Sequence, residues 1–204
     1  MEAEALYKIG YGLYVLTAQD GAKDNGCIIN TLMQVTSISP HKIAITVSKE
    51  NYTHDMIVKT GEFNISILTE DTPFKVFEDF GFRSGRDVDK FKGYEEITRS
   101  ANGIIYLTKH TNAYISGKVI STVDIDTHTM FIALMTHGEV ISDTTSVTYA
   151  YYHKNIKPKP DKSTSMGYRC RICNYIYEGE PLPEDFICPL CKHGAKDFEK
   201  ILSK

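Results

Sequence analysis

Two Cys-x-x-Cys pairs close to the end of this 204-residue chain restrict its fold more strongly than any other feature. The pairs are Cys170 with Cys173 and Cys188 with Cys191, and 14 residues separate them. Each pair can wrap a tight turn that directs two thiolates and backbone N–H groups at one ion. Two facing pairs then form a closed tetrahedral site with four sulfur ligands. Without such a site, the last 37 residues have too little core to fold independently.

Composition sets the chemical context of these cysteines. The first residues lack the basic start of a secretory signal, so we expect a cytoplasmic protein. The chain has five cysteines, an odd number that cannot all pair in disulfides. A reducing compartment favours metal ligation over disulfides. Four-sulfur geometry suits both zinc and iron, and the spacing alone leaves both metals open. A net charge of -3 and the lack of a long apolar run argue against nucleic acid and membranes as partners.

Aromatic residues flank both cysteine pairs: Tyr168, Tyr175, Tyr177, Phe186 and Phe198. Together with the cysteines, this pattern over residues 167–201 resembles rubredoxin, in the short form that is fused to other redox domains. Asn174 and Lys192 stand where that family commonly has glycine. The resemblance implies one iron ion held by four cysteine thiolates, a centre that carries single electrons with little rearrangement.

Residues 153–167 have the composition of a linker. This stretch contains two prolines, four lysines and a Ser/Thr cluster, and it has almost no apolar content. The sequence therefore predicts a first domain at residues 1–152, a linker at 153–167 and a second domain at 168–204.

The first domain is predicted to be mainly β. Alternating apolar and polar residues predict strands at 42–48, 63–68, 104–107, 113–123 and 130–135. Capping and stop signals predict helices at 53–59 and 73–80, and a third short helix at 88–91. Several strands within about 150 residues favour a barrel or a sandwich.

A run of amide and hydroxyl side chains interleaved with apolar ones lies at residues 25–40. Such a segment can donate hydrogen bonds to the edge or phosphate of a flat ligand while its apolar neighbours cover the ligand's face. The chain carries no complete nucleotide-binding fingerprint, since Gly10-x-Gly12 lacks a third glycine.

This run and residues 48–53, 61–66 and 126–131 resemble the flavin reductase-like family, which has an FMN-binding split β-barrel. The resemblance covers residues 6–150 and implies a homodimer with one FMN per subunit and hydride delivery from NADH or NADPH. It assigns FMN contacts to matching positions, namely Asn30, Gln34, Thr36, Ser37, Ser48, Lys49, Asn51, Thr53 and His128. His128 also carries over as the catalytic residue beside the reactive face of the flavin.

The chemistry of these side chains suits the implied roles. Hydrogen-bond donors stabilise a reduced, anionic flavin, and Lys49 supplies a cation for phosphate or flavin charge. His128 can orient nicotinamide or relay a proton. Each residue also has an ordinary structural alternative in strand pairing, capping, surface charge or core packing. Ser84 and Gly85, with Lys90 nearby, form either a second phosphate loop or a simple turn.

The two resemblances together match the high-molecular-weight rubredoxins, in which a flavin reductase domain is fused to a rubredoxin. They imply that NAD(P)H reduces FMN and that single electrons pass to iron. The resemblance suggests a flavodiiron oxygen or nitric oxide reductase as the final acceptor. Two alternatives stay open: an FMN and iron carrier reduced by another protein, and a flavin or ferric reductase with a zinc-ribbon interaction module.

Overall fold

The computed structural model describes residues 8–158, 167–171, 175–188 and 193–201. The strands of the first domain are β1 (Tyr14–Asp20), β2 (Lys23–Ile29), β3 (Leu32–Gln34), β4 (Lys42–Ser48), β5 (Glu62–Leu68), β6 (Ile97–Arg99), β7 (Ile105–Leu107), β8 (Thr111–Ile125) and β9 (His128–Val140). Its helices are α1 (Tyr52–Thr60), α2 (Phe74–Gly81) and α3 (Tyr149–Tyr151), which a π-helical turn at Tyr152–Ile156 extends. Among the residues given above, none of the helices has the length and apolar character needed to cross a bilayer.

One antiparallel sheet organises the first domain. Its strand order is β2-β1-β5-β8-β9-β4-β3, and a separate hairpin of β6 and β7 packs beside it. The prediction of a mainly β fold is confirmed. The five predicted strands are all present, and β8 and β9 are longer at both ends than the alternation indicated. The sequence reading missed the β1–β2 hairpin, because β2 contains polar residues such as Asp24 and Asn25 that weaken the strand signal.

Helices α1 and α2 confirm two of the three helix predictions. Gly61 adopts a left-handed conformation with φ 73° and its N–H donates to the Ile57 carbonyl, which ends α1. The predicted third helix at 88–91 is wrong. The backbone forms turns there instead, and the Asp89 carboxylate accepts a hydrogen bond from the Phe91 N–H, a local bond that competes with helix formation.

Two apolar cores pack on the sheet. The first lies between α1 and the sheet, where Met56 and Ile57 meet Phe63 and Phe131. The second surrounds α2 and includes Tyr152 at the start of the π-helical turn. Ile156, at the other end of that turn, also packs against this core. The first residues of the predicted linker at 153–167 are therefore helical and packed, while residues 159–166 lie outside the described residues.

The second unit is a small three-stranded sheet with the order β11-β10-β12. Its strands are β10 (Gly167–Cys170), β11 (Ile176–Tyr177) and β12 (Phe198–Ile201). Aromatic rings pack in contact around it, with ring centroids 4.6 Å apart for Tyr177 and Phe186 and 5.4 Å apart for Phe186 and Phe198. With strands this short, little apolar area is buried in this unit, which agrees with its expected dependence on a metal.

A buried amide ties the β6–β7 hairpin to the main sheet. Asn64 on β5 is fully buried, and its Nδ2 donates to Ser100 Oγ and to the Ile104 carbonyl, both at 2.8 Å. Its Oδ1 accepts a hydrogen bond from Asn102 Nδ2 at 3.0 Å. Because no water replaces these bonds in the interior, their loss leaves buried polar groups without partners.

We expect Asn64→Ala to lower the free energy of unfolding by about 2–4 kcal/mol, measured by urea denaturation. Asn112→Ala is the matched control. The Asn112 amide also donates two bonds, to the Thr144 carbonyl and to Ser146 Oγ, but at an exposed site where water can replace them. The control should lose less than about 1 kcal/mol. Equal losses in the two variants would contradict this account of the hairpin.

Candidate flavin and metal sites

The pairing of β4 with β9 brings together the largest group of predicted flavin residues. Ser48 is directly opposite His128 in the register, and the Lys49 N–H donates to the Thr127 carbonyl at 3.0 Å. Helix α1 begins just after Asn51 and carries Thr53 in its first turn. A single location therefore collects hydroxyl, amide, ammonium and imidazole groups from three segments.

The charged members of this group lie at the surface. Lys49 Nζ is 2.8 Å from a carboxylate oxygen of Asp124, and this hydrogen bond lowers the pKa of the Asp124 carboxyl. His128 is exposed, and its Nδ1 is 2.8 Å from Thr127 Oγ1. Solvent screens an exposed ion pair, so the bond from Lys49 to Asp124 contributes little to stability, and little opposes its exchange for an anionic ligand.

Thr53 is buried at the inner side of the same location. Its Oγ1 accepts a hydrogen bond of 2.9 Å from Asn25 Nδ2 on β2. Gly85 approaches the same amide so closely that a Cβ atom at this position would be 2.0 Å from Asn25 Oδ1. A side chain at residue 85 would therefore push the Asn25 amide out of its present position. Burial raises the pKa of the neighbouring Cys27 thiol, as expected for an unreactive cysteine.

The loop after α2 is a turn with a buried lysine. Ser84 Oγ accepts from the Arg86 N–H, and the Ser84 carbonyl accepts from the N–H groups of Asp87 and Val88. Lys90 Nζ donates to the carbonyls of Gly26 and Phe80 at 2.8 and 3.1 Å, and burial lowers the pKa of its ammonium group. Lys90 thus has a structural position, and a phosphate role for this loop stays a prediction.

His54 is a further candidate residue of the flavin site, and it was not predicted from the sequence. It is buried in the first turn of α1, with Nε2 2.9 Å from Thr129 Oγ1 and Nδ1 3.1 Å from Asp55 Oδ1. Asp55 in turn accepts a 2.6 Å bond from Arg86, which is the main cause of the lowered pKa of its carboxyl. This series of hydrogen bonds connects the start of β9 to the loop after α2. The pattern Thr53-His54-Asp55 was a signal available in the sequence.

The remaining predicted flavin residues are not all at this location. Asn30 comes just before β3, and its Oδ1 accepts from Thr31 Oγ1. Gln34 is opposite Ile43, and Thr36 Oγ1 accepts from the Lys42 N–H, so both lie at the far end of β4 from Ser48. At about 3.3 Å per residue, the two ends of β4 are about 20 Å apart. Ser37 is exposed in the loop beyond β3, near that far end.

Two of the four predicted metal ligands lie in the described residues, and each belongs to a different Cys-x-x-Cys pair. Cys170 and Cys188 are fully buried in one cluster, against which Tyr175, Phe198 and Phe82 pack. Cys173 and Cys191 lie outside the described residues. One cysteine from each pair in a shared apolar cluster fits a closed four-thiolate site, in which sulfur is the donor that iron and zinc both accept.

Comparisons with known proteins identify the first domain. The family model for the flavin reductase like domain matches residues 6–159. The chain belongs to the flavin reductase-like family. A second model, for the rubrerythrin, rubredoxin-like domain, matches residues 168–199. This family member is 37% identical to high molecular weight rubredoxin from Moorella thermoacetica, with 98% of this chain and 100% of that protein covered.

One further relative and one solved structure are similar to this chain. The chain is 37% identical to a ferric-chelate reductase (NAD(P)H) from Archaeoglobus fulgidus over 84% of this chain and 100% of that protein. The solved structure of an NADH:FAD oxidoreductase from Streptomyces globisporus shares its fold, with a TM-score of 0.62 and 17% identity. That similarity covers 71% of this chain and 84% of the solved one.

These findings confirm the predicted fusion of a flavin reductase-like domain to a rubredoxin-like domain. The family memberships also confirm an electron-transferring oxidoreductase with flavin and iron as its cofactors. The donor set around Ser48 and His128 fits a flavin, because it offers neutral hydrogen-bond donors and a cation beside an open surface. The individual flavin and metal residues stay predictions.

The close approach of Gly85 to Asn25 gives a direct test of the inner site. We expect Gly85→Ala to displace the Asn25 amide from Thr53 and to lower the free energy of unfolding by about 1–3 kcal/mol. Apo-protein titrations, followed by flavin fluorescence, should also show weaker FMN binding. Gly10→Ala is the control, since Gly10 has no heavy atom within 4 Å of an added Cβ and does not have a positive φ. If both variants match the parent protein in stability and in FMN binding, the close approach of Gly85 to Asn25 contributes to neither.

Proposed function

We propose that this chain is an NAD(P)H-dependent oxidoreductase that takes hydride from NADH or NADPH onto bound FMN and passes single electrons through an iron centre to a separate redox protein. The observation that carries the proposal is the presence of both domains in one chain, similar over nearly its whole length to a high molecular weight rubredoxin. Flavin supplies the change from two-electron to one-electron chemistry.

The flavin-binding residues are proposed from the site at the β4–β9 pairing. Ser48 and Asn51 offer neutral hydrogen-bonding groups at the mouth of the site, and Lys49 offers a cation that can exchange Asp124 for phosphate. His128 is exposed on the same edge, where it can orient nicotinamide. Gln34 and Thr36 lie about 17–20 Å away at the other end of β4, and Ser37 follows them in the loop, so we assign all three to a different part of the ligand or to the flavin of a second subunit.

The iron is proposed to bind to Cys170, Cys173, Cys188 and Cys191. Full burial of Cys170 and Cys188 among aromatic rings supports this, because a closed four-thiolate site excludes water and leaves no open position for substrate. A site of that kind transfers electrons and does not bind a reactant. The part of the predicted linker that follows the packed turn at Tyr152–Ile156 is proposed to keep this domain near the flavin at an effective concentration of about millimolar.

A homodimer is proposed because large apolar side chains are exposed on two parts of the first domain. Met33, Val35 and Ile38 lie on β3 and the loop after it, and Ile120, Val123 and Ile125 lie on the outer half of β8. Apolar side chains grouped in this way mark interaction surfaces in soluble proteins.

Light scattering should give a molar mass of about twice the 23.0 kDa of one chain. Val123→Lys should shift the mass towards that of a single chain. Val58→Lys, at an exposed position on α1, should not change it. A single-chain mass for the parent protein would contradict the dimer.

The final acceptor is proposed to be a separate cytoplasmic redox protein, with a flavodiiron oxygen or nitric oxide reductase as the specific candidate. A ferric chelate is a second candidate acceptor, favoured by the similarity to the ferric-chelate reductase. In that case electrons leave from the flavin, and loss of the iron centre does not slow the reduction of the chelate.

Pure protein that oxidises no NAD(P)H would instead favour a carrier reduced by another protein.

An anaerobic NADH titration followed by visible absorbance tests the proposal. The reconstituted protein should accept about 1.5 NADH per chain, because flavin takes two electrons and the iron takes one. Stopped-flow traces should show flavin reduction before iron reduction. Repeating the titration with NADPH gives the preferred donor.

Two cysteine variants are the matched controls. Cys188→Ser should lose iron and accept about one NADH per chain, since only the flavin remains. Cys27→Ser should retain iron and the parent stoichiometry, because Cys27 is buried in the core of the first domain. Flavin reduction that leaves the iron oxidised over many turnovers would refute the transfer between the domains, and a colourless protein containing zinc would favour an interaction module.

A further inference from the structure

Phe82 connects the two domains at the metal ligands. It directly follows α2 in the first domain, and its side chain packs against the buried cluster of Cys170 and Cys188 in the second unit. The other side chains packed against these two cysteines are Tyr175 and Phe198, which belong to the second unit itself. Within the described residues, the apolar shell around the cysteines is therefore completed by a residue from the other domain.

The position of Phe82 is fixed by the helix that precedes it. Its N–H donates to the Glu78 carbonyl at 3.0 Å, and its ring centroid is 5.8 Å from that of Phe74 at the start of α2. Helix α2 is in turn anchored in the second core through Val76, Phe77 and Phe80. A side chain held in this way presents a preformed apolar contact, which loses little conformational entropy when another surface binds to it.

The same segment is next to the predicted flavin loop. Ser84 follows Phe82 by two residues, and Gly85 then contacts Asn25 beside Thr53. The cysteine cluster therefore packs on a residue only three positions before Gly85, which approaches Asn25 at the inner side of the proposed flavin site. The contact forms within one chain, so it needs no second subunit.

We propose that Phe82 is the docking contact that holds the rubredoxin-like domain on the flavin reductase-like domain of the same subunit, and that its ring shields the metal-binding thiolates from water. The inference rests on the proposed function for the direction of electron flow, but the shielding itself does not. The apolar shell around a metal site controls solvent access and therefore its reduction potential.

The direction of the expected shift in reduction potential follows from the net charge of the iron centre. A ferric ion with four thiolates has a net charge of -1, and its one-electron reduced form has a net charge of -2. Water stabilises the more highly charged form more strongly, so removal of an apolar shield favours reduction. Loss of the Phe82 ring should therefore move the reduction potential of the iron centre to a more positive value.

Phe82→Ala in the full-length protein is the principal test. We expect a positive shift of the iron potential in a dithionite titration followed by visible absorbance, and about tenfold faster loss of iron to a chelator. Stopped-flow measurements should show slower electron transfer from flavin to iron. The step from NADH to flavin should keep its parent rate, because Phe82 is not among the residues assigned to the flavin or the nicotinamide.

Two further variants serve as controls. Phe82→Leu retains an apolar side chain and should restore most of the parent potential and chelator resistance, which also covers the case in which Phe82→Ala folds poorly. Val58→Ala removes apolar area from an exposed position on α1 and should match the parent protein in every measurement. The docking contact is refuted if Phe82→Ala has the same potential and the same rate of iron loss as Val58→Ala.

The measurements separate this inference from the proposed function. The dithionite titration and the chelator assay need neither NADH nor flavin, so they test the shielding even if the protein oxidises no pyridine nucleotide. Conversely, an unshifted potential in Phe82→Ala together with normal electron transfer from NADH to iron would refute the docking contact and retain the proposed function.

Discussion

The antiparallel pairing of β4 with β9 is the constraint on which the candidate flavin site depends. Ile45 and Phe131 are opposite each other in this pair and both are fully buried, so a shift of one residue would turn Phe131 out of the core. The cost of that exposure fixes the register. The same register places Ser48 opposite His128 on the other face, at the surface. Burial of apolar residues in the centre of the strands thereby positions the polar residues at their ends.

Buried polar contacts join the segments that this pairing leaves separate. The amide of Asn25 joins β2 to α1 through Thr53, and the ammonium group of Lys90 joins the loop after α2 to the carbonyl of Gly26. His54 connects α1 to β9 through Thr129. Because unpaired polar groups are costly in the interior, each contact holds its loop in one position. The candidate flavin site is thus preorganised by side chains such as Asn25 and Lys90, whose polar atoms bond to other groups of the protein.

The two domains differ in how they obtain stability. The first buries two cores against a seven-stranded sheet, whereas the second has short strands and a shell of aromatic rings around its cysteines. Such a small unit depends on bound metal, and Phe82 of the first domain adds apolar cover to it. In the proposed docking, the stability of this unit and electron transfer are linked, because the Phe82 contact that covers Cys170 and Cys188 also joins the two domains.

The mainly β fold, two of the helices and the four-cysteine motif could be predicted from the sequence, because strand alternation, capping signals and ligand spacing are local patterns. The sequence did not reveal that Thr53 and Lys90 use their polar atoms inside the protein, or that Gln34 and Thr36 lie a strand's length from Ser48. It also missed the role of His54 and the contact of Phe82 with the cysteines. These contacts become visible in the folded chain alone, because each depends on residues that are distant in sequence and meet through strand register and packing.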